Sequence, residues 1–264
     1  ELLAIFLISR PFLTVFHELG HAIPVILMTG ERATIFLGSY GDTDKSFRLA
    51  IGKLEIWIKY NLFKWRGGLC VPHASNISIN KKIIDVGTTP SLEEEQNIFL
   101  EKIKENPNVT CFSNQDCKIL QKKYKNIKKV IIGDAKNTML ENNSFDIVHS
   151  NATIEHVGSF EEQVLFVKEM LRISKESIFI QTPNRFYPID FHTILPFVHW
   201  LPKKIHRKIL KYLKLDFYAE EKNLNLLDTR ELKKICEILK ITKYKILKYK
   251  LFFLTSNLIL IIYK

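Results

Sequence analysis

A chain of 264 residues, 46% hydrophobic and 25% charged, has the composition of a globular protein with a sizeable core, which excludes a disordered or low-complexity chain. The net charge of +11 is uneven: eight basic and six acidic residues precede position 76, and 31 basic and 22 acidic residues follow. Much of that excess is lysine on helix-like stretches and reads as a solvated surface, with no specific nucleic-acid signal. Cys70, Cys111, Cys117 and Cys236 form no CxxC pair, which excludes a disulfide frame and suits free thiols in a reducing compartment.

In chain order, residues 2–29 are nearly all apolar, interrupted by Arg10, Pro11 and the group His17-Glu18-Leu19-Gly20-His21. The stretch is long enough for a bilayer-crossing helix, which needs about 20 apolar residues. The chain opens on Glu1 rather than Met, as one without its original start would, so signal-peptide logic is not applied to it. "RATIFLGSYGD" and "FRLAIGKLEIWIKYNLF" alternate apolar and polar residues and predict two or three strands joined by glycine-containing turns. "RGGLCVPHASNISIN", rich in Gly, Ser, Asn and Pro, reads as a linker with a boundary near residue 76.

Beyond it, strands and helices alternate. "KKIIDVG", "NVTCFS", "KKVIIGDA", "SFDIVHSN" and "SIFIQTPN" predict strands. "SLEEEQNIFLEKIKEN", "CKILQKKYKN", "SFEEQVLFVKEMLRIS" and "TRELKKICEILKI" predict helices, the third with Ser159 as its N-cap. "YKILKYKLFF" and "SNLILIIYK", joined by an "LTS" turn, predict an antiparallel edge hairpin. The fold expected is α/β: a mostly parallel Rossmann-like sheet with helices on both faces and an antiparallel C-terminal hairpin, preceded by an apolar helix and a small β segment. The domains expected are residues 1–75 and 76–264.

Ligands of open α/β sheets sit beyond the carboxyl ends of the strands, where strand order reverses. Those ends carry "DVGTTP" after the first strand, "GDA" after the third and "SNATIEH" after the fourth. These motifs in this order, with "FDIVHSNATIEHV" and "TPNRFYPIDFHT", resemble the class I S-adenosylmethionine-dependent methyltransferases over about residues 80–264. The resemblance implies S-adenosylmethionine as cofactor. Asp85, Gly87 and Thr88 would meet its amino-acid end, Asp116 the ribose, Asp134 and Ala135 the adenine, and Asn151 would stand after strand four. The family's usual glycine-rich loop is reduced here to Gly87, followed by Thr-Thr-Pro. His156, Tyr187 and His192 are candidate general bases for a small-molecule or lipid-linked acceptor.

A His-Glu-x-x-His helix puts two imidazoles on one face with a carboxylate beside them, a zinc-protease pattern. Residues 11–72, with "HELGHAIP", "GSYGD" and "GLCVP", resemble the intramembrane site-two proteases. That likeness implies His17 and His21 as zinc ligands and Glu18 as base. A catalytic zinc takes three protein ligands; the family's third is an aspartate on a later membrane helix, and none follows here. The expectation is therefore a truncated protease-like segment fused to a methyltransferase, with the catalytic domain cytoplasmic and tethered to a membrane through residues 2–29. A working protease module and a non-catalytic membrane-tethered fusion are the alternatives. The segment after the fifth strand, "RFYPIDFHTILPFVHWLPKKIHRKILKYLKLDFYAEEKNLNLL", is too long for an ordinary connection. It predicts a helical lid with Tyr187, His192 and Trp200 nearest the transferred methyl group.

Overall fold

The computed structural model describes residues 32–38, 43–60, 68–72, 80–92, 97–251 and 253–264. The apolar stretch 2–29, with His17, Glu18 and His21, lies outside them. Among the described residues no helix is long and apolar enough to cross a membrane.

A small four-stranded sheet holds β1 (Ala33–Leu37), β2 (Ser46–Ile51), β3 (Leu54–Lys59) and β4 (Gly68–Pro72), in the order β2-β3-β1-β4. β1 runs parallel to β3 and antiparallel to β4. β2 and β3 form a hairpin whose tight turn needs Gly52 at φ +60°. β4 falls in the stretch that its Gly and Pro content marks as linker; β1 supplies the free edge on which it pairs, and that pairing overrides the local signal.

A second unit, residues 78–249 and 255–264, carries a seven-stranded sheet. Its strands are β5 (Ile83–Val86), β6 (Val109–Ser113), β7 (Ile127–Ile132), β8 (Phe145–Asn151), β9 (Ser174–Pro183), β10 (Tyr244–Leu251) and β11 (Leu254–Tyr263). The order is β10-β11-β9-β8-β5-β6-β7. β5 to β9 are mutually parallel, and β11 lies antiparallel against β9. The hairpin turn comes two residues earlier than "LTS" suggests, because Leu254, Thr255 and Ser256 already belong to β11.

Both faces of this sheet are buried, and the period-2 alternation of strands divides the side chains between them. Ile84, Val86, Phe112, Val148, Ile178, Ile180, Leu258 and Leu260 form the larger cluster, while Val109, Cys111 and Ile127 join Leu100, Cys117 and Leu120 in another. The helices that cover the larger cluster are α3 (Phe160–Ile173), presenting Phe166, Val167, Met170 and Ile173, and α6 (Thr229–Ile238), presenting Leu232 and Ile235. Each begins with a reciprocal capping box, Ser159 with Glu162 and Asp228 with Glu231. Two helices are shorter than their patterns suggest: α1 is Ile98–Lys102 and α2 is Leu120–Lys123. Asn97 turns its side-chain amide to the carbonyls of Thr89 and Ser91, which binds the entry of α1 to the preceding loop. α2 buries only Leu120, too little apolar surface to hold more turns.

Glu169 of α3 fastens the loop after β7. Its Oε1 accepts from the Thr138 amide (2.7 Å), the Thr138 hydroxyl (2.6 Å) and Arg172 (2.7 Å), and its Oε2 accepts from Arg172 Nε (2.8 Å). Arg172 also donates to the Leu140 carbonyl. Burial alone would raise this carboxyl; Arg172 and Thr138 outweigh it and hold it at about 2. The folded value lies below the unfolded one of about 4.3. The stabilisation is therefore complete above the unfolded value and lost as pH falls towards the folded one. Glu169→Gln should lower stability at neutral pH by about 1–3 kcal/mol. In thermal melts at a series of pH values, its deficit should shrink as the solution is acidified through that window. A pH-independent deficit would contradict the assignment.

Candidate active site

β5 sits between β6 and β8, and the chain leaves it in opposite directions on the two sides. An open cleft of about 850 Å³ lies there, beyond the carboxyl ends of β5 to β8. One wall is Gly87 to Pro90, a second Phe112 to Gln115, a third Ile132 to Lys136, and a fourth Ala152, Thr153, His156 and Val157. His192, Phe217, Tyr218, Lys222 and Asn223, all from the long segment after β9, complete it.

Gly87 takes φ +89°, and a Cβ there would stand 1.9 Å from Thr153 Oγ1. The glycine is required by the β8 loop pressed against it. The amides of Gly87 and Thr88 donate to the Phe112 carbonyl (2.8 and 3.3 Å), so this short loop is tied to β6. Asp85 is not among the cleft-lining residues. Its Oδ2 accepts from Thr88 Oγ1 (2.9 Å), and its Oδ1 meets His149 Nδ1 at 2.6 Å. His149 in turn stacks on Phe99, centroids 3.5 Å apart. Asp85 thus acts from below, holding the loop. Beside it, burial pushes the Cys111 thiol up to about 12, a packed and unreactive state.

Of the other cofactor candidates, Thr88, Asp134 and Ala135 line the cleft. Asp134 is largely exposed, with Oδ1 accepting from the Lys136 amide (2.9 Å). Asp116 and Asn151 are not lining residues: Asp116 Oδ1 accepts from the Lys118 amide, and the Asn151 carbonyl accepts from Thr153 Oγ1. Asn114 and Gln115 line the cleft where the resemblance led to an expected acid.

His156 and His192 come together at the far end, ring centroids 4.9 Å apart. Glu155 lies beneath them, fully buried, with Oε2 accepting from Thr182 Oγ1 (2.9 Å) and Oε1 standing 3.9 Å from His192 Nε2. Burial raises the Glu155 carboxyl, against the pull of the two imidazoles. Burial would lower His192, but its hydrogen bond to Asp190 and the Glu155 charge raise it on balance. Burial would likewise raise Asp190, and its bonds to His192 and Thr193 bring it down to about 2.

The lid reading needs correction for Tyr187 and Trp200. Neither lines the cleft. Tyr187 is buried, stacked on Phe191, with its phenol pushed up by burial; Trp200 Nε1 donates to the Tyr187 carbonyl. Phe217 and Tyr218, at α5 (Asp216–Ala219), hold the place expected for them. Helix α4 (Lys203–Tyr212) precedes that short helix and carries the basic run.

Residues 100–179 match the family model described as a methyltransferase domain, which spans the chain from α1 into β9 and begins after the "DVGTTP" loop. No curated protein matches the sequence. Among solved structures, a protein from Rhodobacter sphaeroides assigned by name to the Zn-dependent alcohol dehydrogenases superposes with a TM-score of 0.52 at 12% identity, covering 72% of this chain and 87% of its own. A SAM-dependent methyltransferase from Archaeoglobus fulgidus gives 0.49 at 16% identity, covering 71% and 87%. The Burkholderia thailandensis 1,6-didemethyltoxoflavin-N1-methyltransferase, solved with its substrate and S-adenosylhomocysteine, gives 0.46 at 10%, covering 70% and 71%. The larger unit is a mixed α/β fold on a mostly parallel sheet, within which residues 100–179 are similar to a methyltransferase domain.

The clash at Gly87 gives a test of the loop. Gly87→Ala should destabilise the chain by about 1–3 kcal/mol, from a strained backbone and the contact with Thr153. Thr153→Ala in the same chain should recover part of that loss by removing the two nearest atoms. Denaturant midpoints of the single and double variants measure both. Strict additivity would mean that the two residues do not oppose each other.

Proposed function

We propose that residues 76–264 are an S-adenosylmethionine-dependent methyltransferase acting on a small-molecule or lipid-linked acceptor. The observation that carries this reading is the cleft at the strand-order reversal, formed by elements that the methyltransferase family model covers on three of its walls. The antiparallel β11 beside β9 agrees with the topology that the resemblance leads one to expect.

The lining fits the cofactor. The volume suits a ligand of its size, since small-molecule sites run roughly 300–1,000 Å³. Ile132, 55% exposed, and Ala135 give an apolar rest for an adenine, with the exposed Asp134 carboxylate beside them to accept from its amino group. Asn114 and Gln115 offer amides to ribose hydroxyls in place of the usual acid. When bound, the cofactor supplies a methyl group already activated on a sulfonium. The protein's part is to align cofactor and acceptor and exclude water. In this reading His156 and His192, which line the cleft, would take the acceptor's proton.

The full-length chain should bind S-adenosylhomocysteine with a micromolar dissociation constant, roughly −8 kcal/mol. Asp134→Ala should weaken this by about 1–3 kcal/mol. Titration calorimetry that gives no heat with the unaltered chain would remove the reading.

A further inference from the structure

The group at the closed end of the cleft has a property that proton transfer alone does not use. Glu155 is wholly buried, and its Oε1 has no hydrogen-bond partner. A buried carboxylate oxygen without a partner is costly, and it invites either a proton or a cation. Two imidazoles face it, and each has its Nδ1 already engaged. His156 Nδ1 is 2.6 Å from the Asn223 carbonyl, and His192 Nδ1 is 3.0 Å from Asp190 Oδ1. A carbonyl can only accept, so His156 carries its proton on Nδ1. The Asp190 carboxylate favours the same tautomer for His192. Both Nε2 lone pairs are therefore free.

The ligand atoms of Glu155, His156 and His192 all lie within 4.8 Å of one another. Three donors at about 2.1 Å from one cation lie roughly 3.0–3.4 Å apart in octahedral or tetrahedral geometry, so the widest pair must close by more than about 1 Å to hold an ion. The partners on the outer nitrogens are those that metal-bound histidines have, a carboxylate and a backbone carbonyl, which fix the ring and its tautomer. Asp190 is itself buried and held by Thr193 Oγ1 (2.7 Å), and Glu155 is held by Thr182. The His156 and His192 side chains line the cleft, while Glu155 lies below it.

We propose that Glu155, His156 and His192 bind one divalent transition-metal ion, with its open positions towards the cleft. Two imidazoles and one carboxylate suit Fe²⁺, Mn²⁺, Co²⁺ or Zn²⁺, rather than the all-oxygen cages of Ca²⁺ and Mg²⁺ or the thiolates of closed zinc sites. Three protein ligands leave room for an oxygen of the acceptor, whose proton the ion would make easier to lose. That last role rests on the methyltransferase reading. The ion site itself does not.

The test uses the full chain purified without a histidine tag, with His17→Ala and His21→Ala so that the other histidine pair contributes nothing. After chelator treatment it is titrated with Co²⁺, followed by visible d–d absorption and by metal analysis after gel filtration. One Co²⁺ per chain, displaced by Zn²⁺, is expected. Glu155→Gln and His192→Ala should each weaken binding tenfold or more. Asp190→Asn, which removes a partner and not a ligand, should weaken it 10–100-fold. Circular dichroism and melting of each variant establish that it is folded. No d–d absorption from the chain with these four residues intact at millimolar Co²⁺ would overturn the proposal. So would unchanged affinity in folded Glu155→Gln. The cofactor is absent from every arm, so this result and the calorimetric one fail or succeed separately.

Discussion

Parallel pairing on both sides of β5 is the constraint from which the rest follows. The chain steps outward from β5 to β6 and β7 and then returns to β8 and β9 on the other side, so right-handed crossovers run over opposite faces of the sheet. The carboxyl end between them is then left uncovered. Burial on both faces forces β5 and β6 to be apolar throughout except where a polar side chain finds a partner inside. Asp85 is the charged exception, and its two oxygens are taken by Thr88 and His149. The loop above it is short, bound at Gly87 and Thr88 to β6 and pressed by Thr153 from β8. A stiff loop stands where the resembled family has its glycine run, tied to β6 and to the loop after β8.

The β8 end of the cleft depends on a different set of bonds. The chain from Arg185 to Leu227 would be free to wander if only its ends were attached. Asn225 holds it: its amide donates to the Glu155 carbonyl (2.7 Å), its side chain to the Gly158 carbonyl, and its own carbonyl accepts from Gln163 Nε2. Lys203 of α4 bridges Asn225 to Glu231 of α6. The turn that carries Glu155 and His156 and the segment that brings His192 and Asn223 are thereby one structure. Placement of the two imidazoles follows from this clamp together with the bonds from His192 to Asp190.

Much of the frame was legible because its signals are local. Ser159 three residues before Glu162, Asp228 three before Glu231, and the apolar runs of β8 and β9 announce themselves within a few residues. The site was legible only in part. Gly87, Thr88, Asp134, Ala135, His156 and His192 stand at strand ends or in quoted motifs, and all line the cleft. Phe217, Tyr218 and Asn223 carry no such mark: they arrive through a fold-back of more than 30 residues after β9, which no periodicity encodes. The same fold-back buries Tyr187 and turns Trp200 aside. Glu155 and His192 are 37 positions apart, and nothing near either residue in the sequence announces their pairing.

The two ends of the cleft differ in chemistry. At the β7 end Ile132 and Ala135 line the cleft beside Lys136 and the largely exposed Asp134. At the β8 end Glu155, Asp190 and His192 are sequestered, and each is held in its state by a named neighbour. Charges in such surroundings are strong because water does not screen them, and they must be balanced for the same reason. Asp190 has its balance in Thr193 and His192. Glu155 has one oxygen satisfied and one not, so the balance of the whole group turns on whatever occupies the space between Oε1 and the two free imidazole nitrogens. A proton there gives an acid–base pair; a metal ion would give a Lewis acid facing the cleft. The arrangement of Asn223 and Asp190 on the outer nitrogens fixes the lone pairs inward in either case, which is why the choice between them is set by that one unpaired oxygen.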